Sequence, residues 1–331
     1  MHSFSPTSAP DSAKQLVSAL HNIEWNSFSL GVHFPSSFSE EQKKEVKQNF
    51  QAELIRKLES LSGKRYASSR ADIEFLLDWK NAQFSFLIAP LFIEGRYNKF
   101  KRGIAQTFHY CLHCKGRGCP SCNNTGKQTA ESVQELLASI LVPSFVAKEL
   151  IFHGSGREDV DVRMLGSGRL FVAELVSPRR RSANLSKLEN EINTTFKEKI
   201  AVHSLAFSSS SRVVEIKQFQ HAKRYHALVE CSGAAEASKL ASYLNKKFDV
   251  LQQTPLRVEK RRALKERPHW VVLEKTEVVS STSLEIELQC SAGMYVKEWI
   301  SGDGGRSNPS LSSWLGIPCV CKELDVLEIL D

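Results

Sequence analysis

No stretch of this 331-residue sequence is apolar for long enough to cross a membrane. The longest apolar run, Phe86 to Ile93, is broken by Pro90, whereas a helical span needs about 20 residues. The opening residues do not read as a secretory leader either. The Ser/Ala/Pro-rich opening carries no apolar core, and Lys14 as its single basic residue makes a poor transit peptide. The expectation is a nuclear or cytoplasmic protein, rather than a mitochondrial one, with a flexible lead over residues 1–24. There is no internal repeat and no heptad run. No Gly-Lys-Ser/Thr follows a glycine-rich turn, and no glycine-rich turn opens a helix. Those two absences exclude a P-loop and a dinucleotide fingerprint. Acidic residues are outnumbered, with 37 Asp and Glu against 44 Lys and Arg, which permits a polyanionic partner without demonstrating one.

What is present is ordinary for a globular protein: 41% apolar and 24% charged residues, with length for two domains. The basic residues cluster. Arg179, Arg180 and Arg181 are consecutive. Arg257, Lys260, Arg261, Arg262, Lys265 and Arg267 crowd one short stretch. Arg96, Lys99, Lys101 and Arg102 alternate with Tyr97 and Phe100, which suits phosphate contacts beside stacking platforms. Any one cluster reads as a solvated face; three together favour nucleic acid.

Four of the eight cysteines lie close together in CLHCKGRGCPSCNNTG, as Cys111, Cys114, Cys119 and Cys122. Each Cys-x-x-Cys pair offers two thiolates from one knuckle, and the Lys-Gly-Arg-Gly spacer lets the chain close a tetrahedral site. Four thiolates with no open position point to structural zinc. An iron–sulfur cluster and a redox pair are the alternatives. The lettering is similar to the zinc module of J-domain co-chaperones, but here it occurs once and no His-Pro-Asp helix accompanies it. Cys231, Cys290, Cys319 and Cys321 sit in apolar surroundings and read as buried thiols.

Periodicity predicts a strand over 26–34 and a helix opened by a Ser39/Gln42 capping box. It also predicts a hairpin around Lys80-Asn81-Ala82 and a helix capped by Ser132 and Glu135. From Glu149 onward it predicts strands over 171–176, 201–207, 212–218, 225–230, 254–259, 270–277 and 284–290, with helices near 185–198 and 235–247. The fold class expected is α+β, with a smaller N-terminal domain over 25–110 and a cysteine module with connecting helix over 111–148. A mainly antiparallel sheet domain would occupy 149–331.

Three segments outside these patterns stand out. HGSGREDVDVRMLGSGR, at 153–169, packs glycines and charges together with no apolar period. It reads either as a surface turn or as a loop presenting a carboxylate among arginines, a possible nucleophile or base. AKRYHALVEC (222–231) opens a strand with Tyr225. ELQCSAGMYVKEWISGDGGR (287–306) places Tyr295 and Lys297 after a glycine. Taken singly, each tyrosine reads as core and the lysine as a solvated charge.

In this order the three resemble the motifs of pseudouridine synthases. GRED is similar to the Gly-Arg-Thr-Asp of the TruA family. KRYHA resembles the tyrosine motif, and CSAGMYVKE the Gly-Thr-Tyr-Ile-Arg/Lys motif of the TruB family. The likeness is closer to the archaeal and eukaryotic "Pus ten" type of tRNA pseudouridine synthase. GREDVDVRMLGSGR, TPLRVEKRR, AGMYVKEWISGDGGRSNPSL and ELDVLE resemble its C-terminal domain. FIEGRYNKFKRGIAQT, the cysteine module and SVQELL resemble its N-terminal half, which carries a THUMP-related RNA-binding domain. The chain departs from the pattern by having no cysteine before Cys111, Leu170 for proline and Met294 for threonine.

The resemblance implies an isomerase that converts uridine to pseudouridine in the tRNA T-arm, at tRNA position 54, 55 or both. It implies no organic cofactor, and a monomer with tRNA as partner. Asp159, third after its glycine, would be the catalytic aspartate, attacking sugar or base or abstracting a ribose proton, with Glu158 and Asp161 as rivals. Lys297 would keep it ionised in a dry site, Tyr225 would stack on the target uracil, and Arg157 would fill the stack when the uridine flips out. Tyr295, Arg257, Lys260, Arg261, Arg262, Arg96 and Lys99 would bind substrate, and Asp161 would pair with Arg163. A non-catalytic zinc-containing RNA-binding protein would need no ordered Asp159, Tyr225 and Lys297. A THUMP-associated methyltransferase or thiouridine synthase would need a glycine-rich cofactor loop after a strand, which this sequence lacks.

Overall fold

The computed structural model of the chain describes residues 2–330, the side chain of Arg261 excepted. Two sheets organise them. The first unit runs β1 (His2–Ser3), α1 (Ala9–Ala19), β2 (Ser27–His33) and α2 (Glu40–Val46). A π-helical turn, Lys47–Gln51, leads into α3 (Ala52–Ser62), β3 (Arg65–Tyr66), β4 (Ile73–Asp78) and β5 (Gln83–Ile88). Its sheet has the order β1-β5-β4-β2-β3, with β2 parallel to both its neighbours. Leu16 of α1 and Leu54 and Leu58 of α3 bury themselves with the sheet's Phe28, Phe75 and Leu77. The Ser39/Gln42 capping box is present as expected.

The described part of the lead expected to be flexible, residues 2–24, contains a packed helix. Ser8 accepts a hydrogen bond from the Asp11 N–H and caps α1, a proline occupies the first turn where no N–H is needed, and Ala9, Ala13 and Leu16 are buried. The small residues that suggested fraying let α1 lie close against α3.

The second unit runs β6 (Leu91–Lys99), α4 (Val133–Phe145), β7 (Glu149–Gly154), β8 (Val162–Val176) and α5 (Leu185–Thr195). It continues through β9 (Ile200–Ser208), α6 (Ser210–Gln218), β10 (Ala222–Cys231), β11 (Lys247–Gln253), β12 (Glu266–Ser280) and β13 (Ser283–Cys290). Then α7 (Val296–Ser301), β14 (Ser307–Asn308), α8 (Leu311–Leu315) and β15 (Cys319–Leu330) complete it. The sheet order is β14-β11-β12-β13-β10-β15-β8-β6-β9, with β7 on β8. The fold is therefore the α+β, mainly antiparallel one expected. The parallel pair β8–β15 is its exception and joins two antiparallel halves, each with its own apolar core.

Four assignments differ from the periodicity. The strand β6 pairs with β8 and β9, so the larger sheet begins at Leu91 and not at residue 149. Residues 212–218 lie in α6; Val213, Val214 and Ile216 gave them a β-branched look, but Ile216 is the residue that is buried. The segment expected as a strand at 254–259 is the 3₁₀ turn Leu256–Arg261, and the helix expected at 235–247 shortens to the 3₁₀ segment Ala237–Tyr243 before β11. One arginine of the first basic cluster also changes role. Arg181 pairs with Asp72 (3.0 Å) and donates to the Ala89 carbonyl (2.8 Å), while its own N–H and that of Ser182 donate to Glu24. It fastens the two units together instead of facing solvent. Among the described residues no helix is long and apolar enough to cross a membrane.

Candidate active site

The central strands bring the three segments together. In the parallel register, Asp325 and Val326 of β15 face Arg163 and Met164 at the start of β8. On the other side of β15, Val326 faces Tyr225 of β10. The loop 155–161 enters β8 here, so Asp159 lies beside Tyr225's strand although 66 residues separate them in sequence (225 − 159).

This loop is anchored from beneath by buried charge. The Glu158 side chain is 1% exposed and accepts from the Tyr97 hydroxyl (2.8 and 2.9 Å). The Arg169 Nε stands 2.8 Å from its carboxylate and the Lys99 Nζ 3.7 Å. Lys99, fully buried, also donates to the carbonyls of Ile104 (2.8 Å) and Asp159 (3.1 Å), and Arg169 to that of Ser155 (2.8 Å). Gln106 donates to the Tyr97 hydroxyl and to the Gly156 carbonyl. Gly156, at φ +80, has no substitute, because a Cβ would lie 2.8 Å from the Arg169 guanidinium. Burial lowers the Lys99 pKa, against the pull of Glu158, and burial raises that of Tyr97 well above its usual value. Every loop carbonyl these cations hold fixes where the next side chain points.

That next side chain is Asp159. It stands on the wall of a cavity of about 650 Å³ together with Tyr225, Tyr295, Lys297 and Arg257, within the size range of ligand sites. Its carboxylate meets Arg257 Nη2 at 3.1 Å and Lys297 Nζ at 3.5 Å. Lys297 is closer to Asp161, at 2.7 and 2.8 Å. Burial pushes the Asp161 pKa up, but the hydrogen bonds and charge of Lys297 outweigh it and the net shift is downward. Arg257 binds Glu298 as well, and its guanidinium lies 5.8 Å from the centre of the Tyr295 ring. Burial, then the neighbouring Cys290, drives the Tyr225 pKa upward, so its phenol stays protonated.

Several sequence expectations need correction here. Lys99 contacts no solvent and cannot bind phosphate; it belongs to the scaffold under the loop, as does Tyr97, read earlier as a stacking platform. Arg96 donates to the Gly168 carbonyl (3.1 Å), and Arg102 to carbonyls of Asp161 and Leu324, so this cluster mainly ties the loop to β15. Asp161 pairs with Lys297, and Arg163 binds Asp325 instead, at 2.8 and 2.5 Å. Glu158 is structural. The site is less dry than expected, since the Asp159 side chain is 39% exposed. Arg257, read from sequence as one of a phosphate-binding group, is the cation nearest Asp159. Lys260 and Arg262 are exposed as expected, Arg262 on the cavity rim, and the Arg261 side chain lies outside the described residues. Arg157 is exposed and donates to His109 Nε2 (3.0 Å), whose pKa burial and then the Arg157 charge push down.

Two groups escaped the sequence reading. Arg169 stands ten residues past the aspartate, and nothing in its neighbourhood marks it as buried. Lys223, two residues before Tyr225, points to the same side of β10 and lines the cavity, where burial and then the Arg169 charge push its pKa down to about 8.

The cysteine module sits at the end of the segment that carries His109. Sulfur atoms of Cys111, Cys114, Cys119 and Cys122 all lie within 4.8 Å of one another. The separations 111–119, 114–122 and 119–122 are 3.9, 3.8 and 3.7 Å. Backbone N–H groups of Gly118 and Gly126 donate to the sulfurs of Cys114 and Cys122. This arrangement can hold a metal ion.

Comparison with known proteins places the chain in a family. A family profile described as "Pus10, C-terminal" matches residues 92–330, from β6 to the end of β15. The chain is 37% identical to the tRNA pseudouridine synthase Pus10 of Methanothrix thermoacetophila, over 98% of this chain and 74% of that protein. It is 39% identical to the tRNA pseudouridine synthase Pus10 of Methanocaldococcus jannaschii, over 95% of this chain and 71% of that protein. Among solved structures, a chain of a Cbf5-Nop10-Gar1 complex is a distant match, with 13% identity and a TM-score of 0.31 over 58% of this chain and 43% of that one. The profile match and the relatives' identity together establish that the chain belongs to the Pus10 family of pseudouridine synthases, which are isomerases.

Proposed function

We propose that this chain isomerises uridine to pseudouridine in the T-arm of tRNA, at tRNA position 54, 55 or both, with Asp159 as the catalytic carboxylate. The observation that carries the reading is a single one. In a Pus10-family chain, Asp159 stands on a cavity wall between two cations, Arg257 and Lys297, and shares that cavity with the protonated phenol of Tyr225. The two cations flank the Asp159 carboxylate at 3.1 and 3.5 Å. Tyr225 stacks on the target base. The reaction breaks the bond from ribose C1′ to N1 of uracil and makes one from C1′ to C5; C5 gives up its proton, N1 takes one up, and no organic cofactor is needed.

Zinc fits the cysteine module. A tetrahedron with zinc–sulfur bonds of roughly 2.3 Å has edges of about 3.8 Å; the three separations of 3.7 to 3.9 Å match it, and all four sulfurs lie within 4.8 Å of one another. Zinc there would be structural: all four donors are thiolates, leaving no position for substrate. The N-terminal unit, THUMP-like by the family resemblance, would hold the tRNA body, while Lys260 and Arg262 in the larger unit contact phosphates.

The test is to incubate purified protein with unmodified tRNA transcripts and map pseudouridine. Conversion in the T-arm with wild type and none with Asp159→Asn supports the reading. Pseudouridine formed by Asp159→Asn refutes the assignment of the carboxylate, and none formed by either protein refutes the substrate.

A further inference from the structure

Beside the Asp159 cavity lies a second one, of about 740 Å³. The two share a wall that includes Lys223, Arg262 and Tyr295, so they are immediate neighbours. The second differs in chemistry. Arg262, Arg267 and Lys223 line it with His221 and His269, and among the described residues no carboxylate does. Phe219, 38% exposed, forms part of its wall.

His269 in that wall is 8% exposed, and its Nε2 has no hydrogen-bond partner. Its Nδ1 lies 2.9 Å from Ser291 Oγ, which also accepts the Trp270 N–H (3.3 Å). If the serine hydroxyl donates to Nδ1, only Nε2 is left unpaired; the reverse direction would strand the hydroxyl hydrogen as well. The hydrogen-bond inventory thus puts the histidine proton on Nε2, a buried donor awaiting an acceptor.

We propose that this second cavity is a subsite for the nucleotide immediately adjoining the target uridine in the same strand. Its base stacks on Phe219 and accepts from His269 Nε2, and its phosphate lies against Arg262 and Arg267. A cation-lined hollow with one exposed aromatic and one unpaired donor suits a nucleotide better than an acidic peptide, because only the nucleotide brings a planar base and a phosphate together. Because the two cavities adjoin, the nucleotide that fits the second is the covalent neighbour of the target. The proposal rests on the function proposed above.

The experiment uses the full chain and three tRNA transcripts: intact, abasic immediately 5′ of the mapped target, and abasic immediately 3′ of it. One of the two abasic neighbours should cost the wild-type protein about tenfold in kcat/KM. That penalty should shrink at least about threefold in His269→Phe and in Phe219→Ala. His269→Gln, which keeps an N–H near the Nε2 position, should retain it. Phe219 is exposed enough that its truncation leaves folding intact, so the test survives if His269→Phe fails to fold. Arg267→Met should flatten the salt dependence of binding by about one unit of slope. Penalties unchanged by Phe219→Ala and His269→Phe, or no penalty from either abasic transcript, would overturn the subsite. Wild type that makes no pseudouridine on the intact transcript takes down the parent reading together with this one, whereas full turnover without the coupling takes down the subsite alone.

Discussion

Glu158 and Asp159 are adjacent carboxylates, and neutralising each by amidation should produce opposite outcomes. The Glu158 side chain is 1% exposed and lies between Arg169 and Lys99, themselves 2% and 0% exposed. Glu158→Gln removes the one carboxylate that both cations face in this network, while the Tyr97 hydroxyl loses an ionic acceptor. Breaking a buried ion pair by removing one partner costs about 3–5 kcal/mol. That is a large part of the roughly 5–15 kcal/mol that holds a typical domain folded. Asp159 differs on every count. Its side chain is 39% exposed, and its two cations keep other partners, Glu298 for Arg257 and Asp161 for Lys297. The loss from Asp159→Asn should therefore be of the size of a surface pair, about 0–1 kcal/mol.

The assay is urea unfolding of both variants followed by tryptophan fluorescence, with pseudouridine formation measured in parallel. The larger unit holds Trp270, Trp299 and Trp314, so its transition is visible. With a slope of about 3 kcal/mol per molar urea, Glu158→Gln should lower the midpoint by roughly 1 M or more. Asp159→Asn should leave it nearly unmoved and abolish turnover. If Glu158→Gln were as stable as wild type, the carboxylate would not be balancing the buried cations and the loop would be held by something else. If Asp159→Asn unfolded the unit, its silence in the activity assay would carry no information about chemistry.

Arg257→Met and Lys297→Met should each lower kcat strongly while tRNA binding changes less, and Asp161→Asn should keep substantial activity. Loss of turnover in Asp161→Asn equal to that in Asp159→Asn would mean that Lys297 serves Asp161 first. Removing metal with a chelator, or changing Cys111 or Cys122 to Ser, should melt the cysteine module and lower stability more than it changes kcat of the protein still folded; zinc well below one per chain on elemental analysis would contradict the site. Lys223, with its pKa at about 8 against an ordinary 10.5, predicts a pH effect of defined sign. Between these values the unfolded chain binds the proton and the folded one does not, so this lysine makes stability rise with pH across that window. An RNA phosphate favours the charged ammonium, so tRNA affinity should fall above pH 8 by up to about tenfold per pH unit, and Lys223→Arg should remove the dependence. A flat profile for the wild type would place Lys223 away from the phosphates.

The elements read well wherever local rules and burial agree. The Ser39 and Ser132 caps, the alternation in β4 and β13, and the cysteine spacing all needed only neighbours in sequence. Asp159, Tyr225 and Lys297 were legible because loop glycines and motif order mark them. The scaffold beneath was not, because its partners meet only through the pairing of β6 with β8. In sequence, Lys99 sits among exposed-looking cations, and its alternation with Tyr97 looks like a binding face. Yet that same alternation puts both side chains on one side of β6, and that side is the core. A sequence gives the number of charges in a cluster but not which of them faces a buried counter-charge. Glu158 supplies that information, and it is the residue one would pass over beside Asp159. The basic surface open to RNA is correspondingly smaller than the charge count suggests. Of the cluster at 96–102, Lys101 remains exposed, while Arg102 and Lys99 hold the loop. RNA contacts should therefore concentrate around Lys260 and Arg262, the latter lining both cavities. Substitutions there should alter the salt dependence of binding, whereas substitutions at Lys99 or Arg102 should alter stability first.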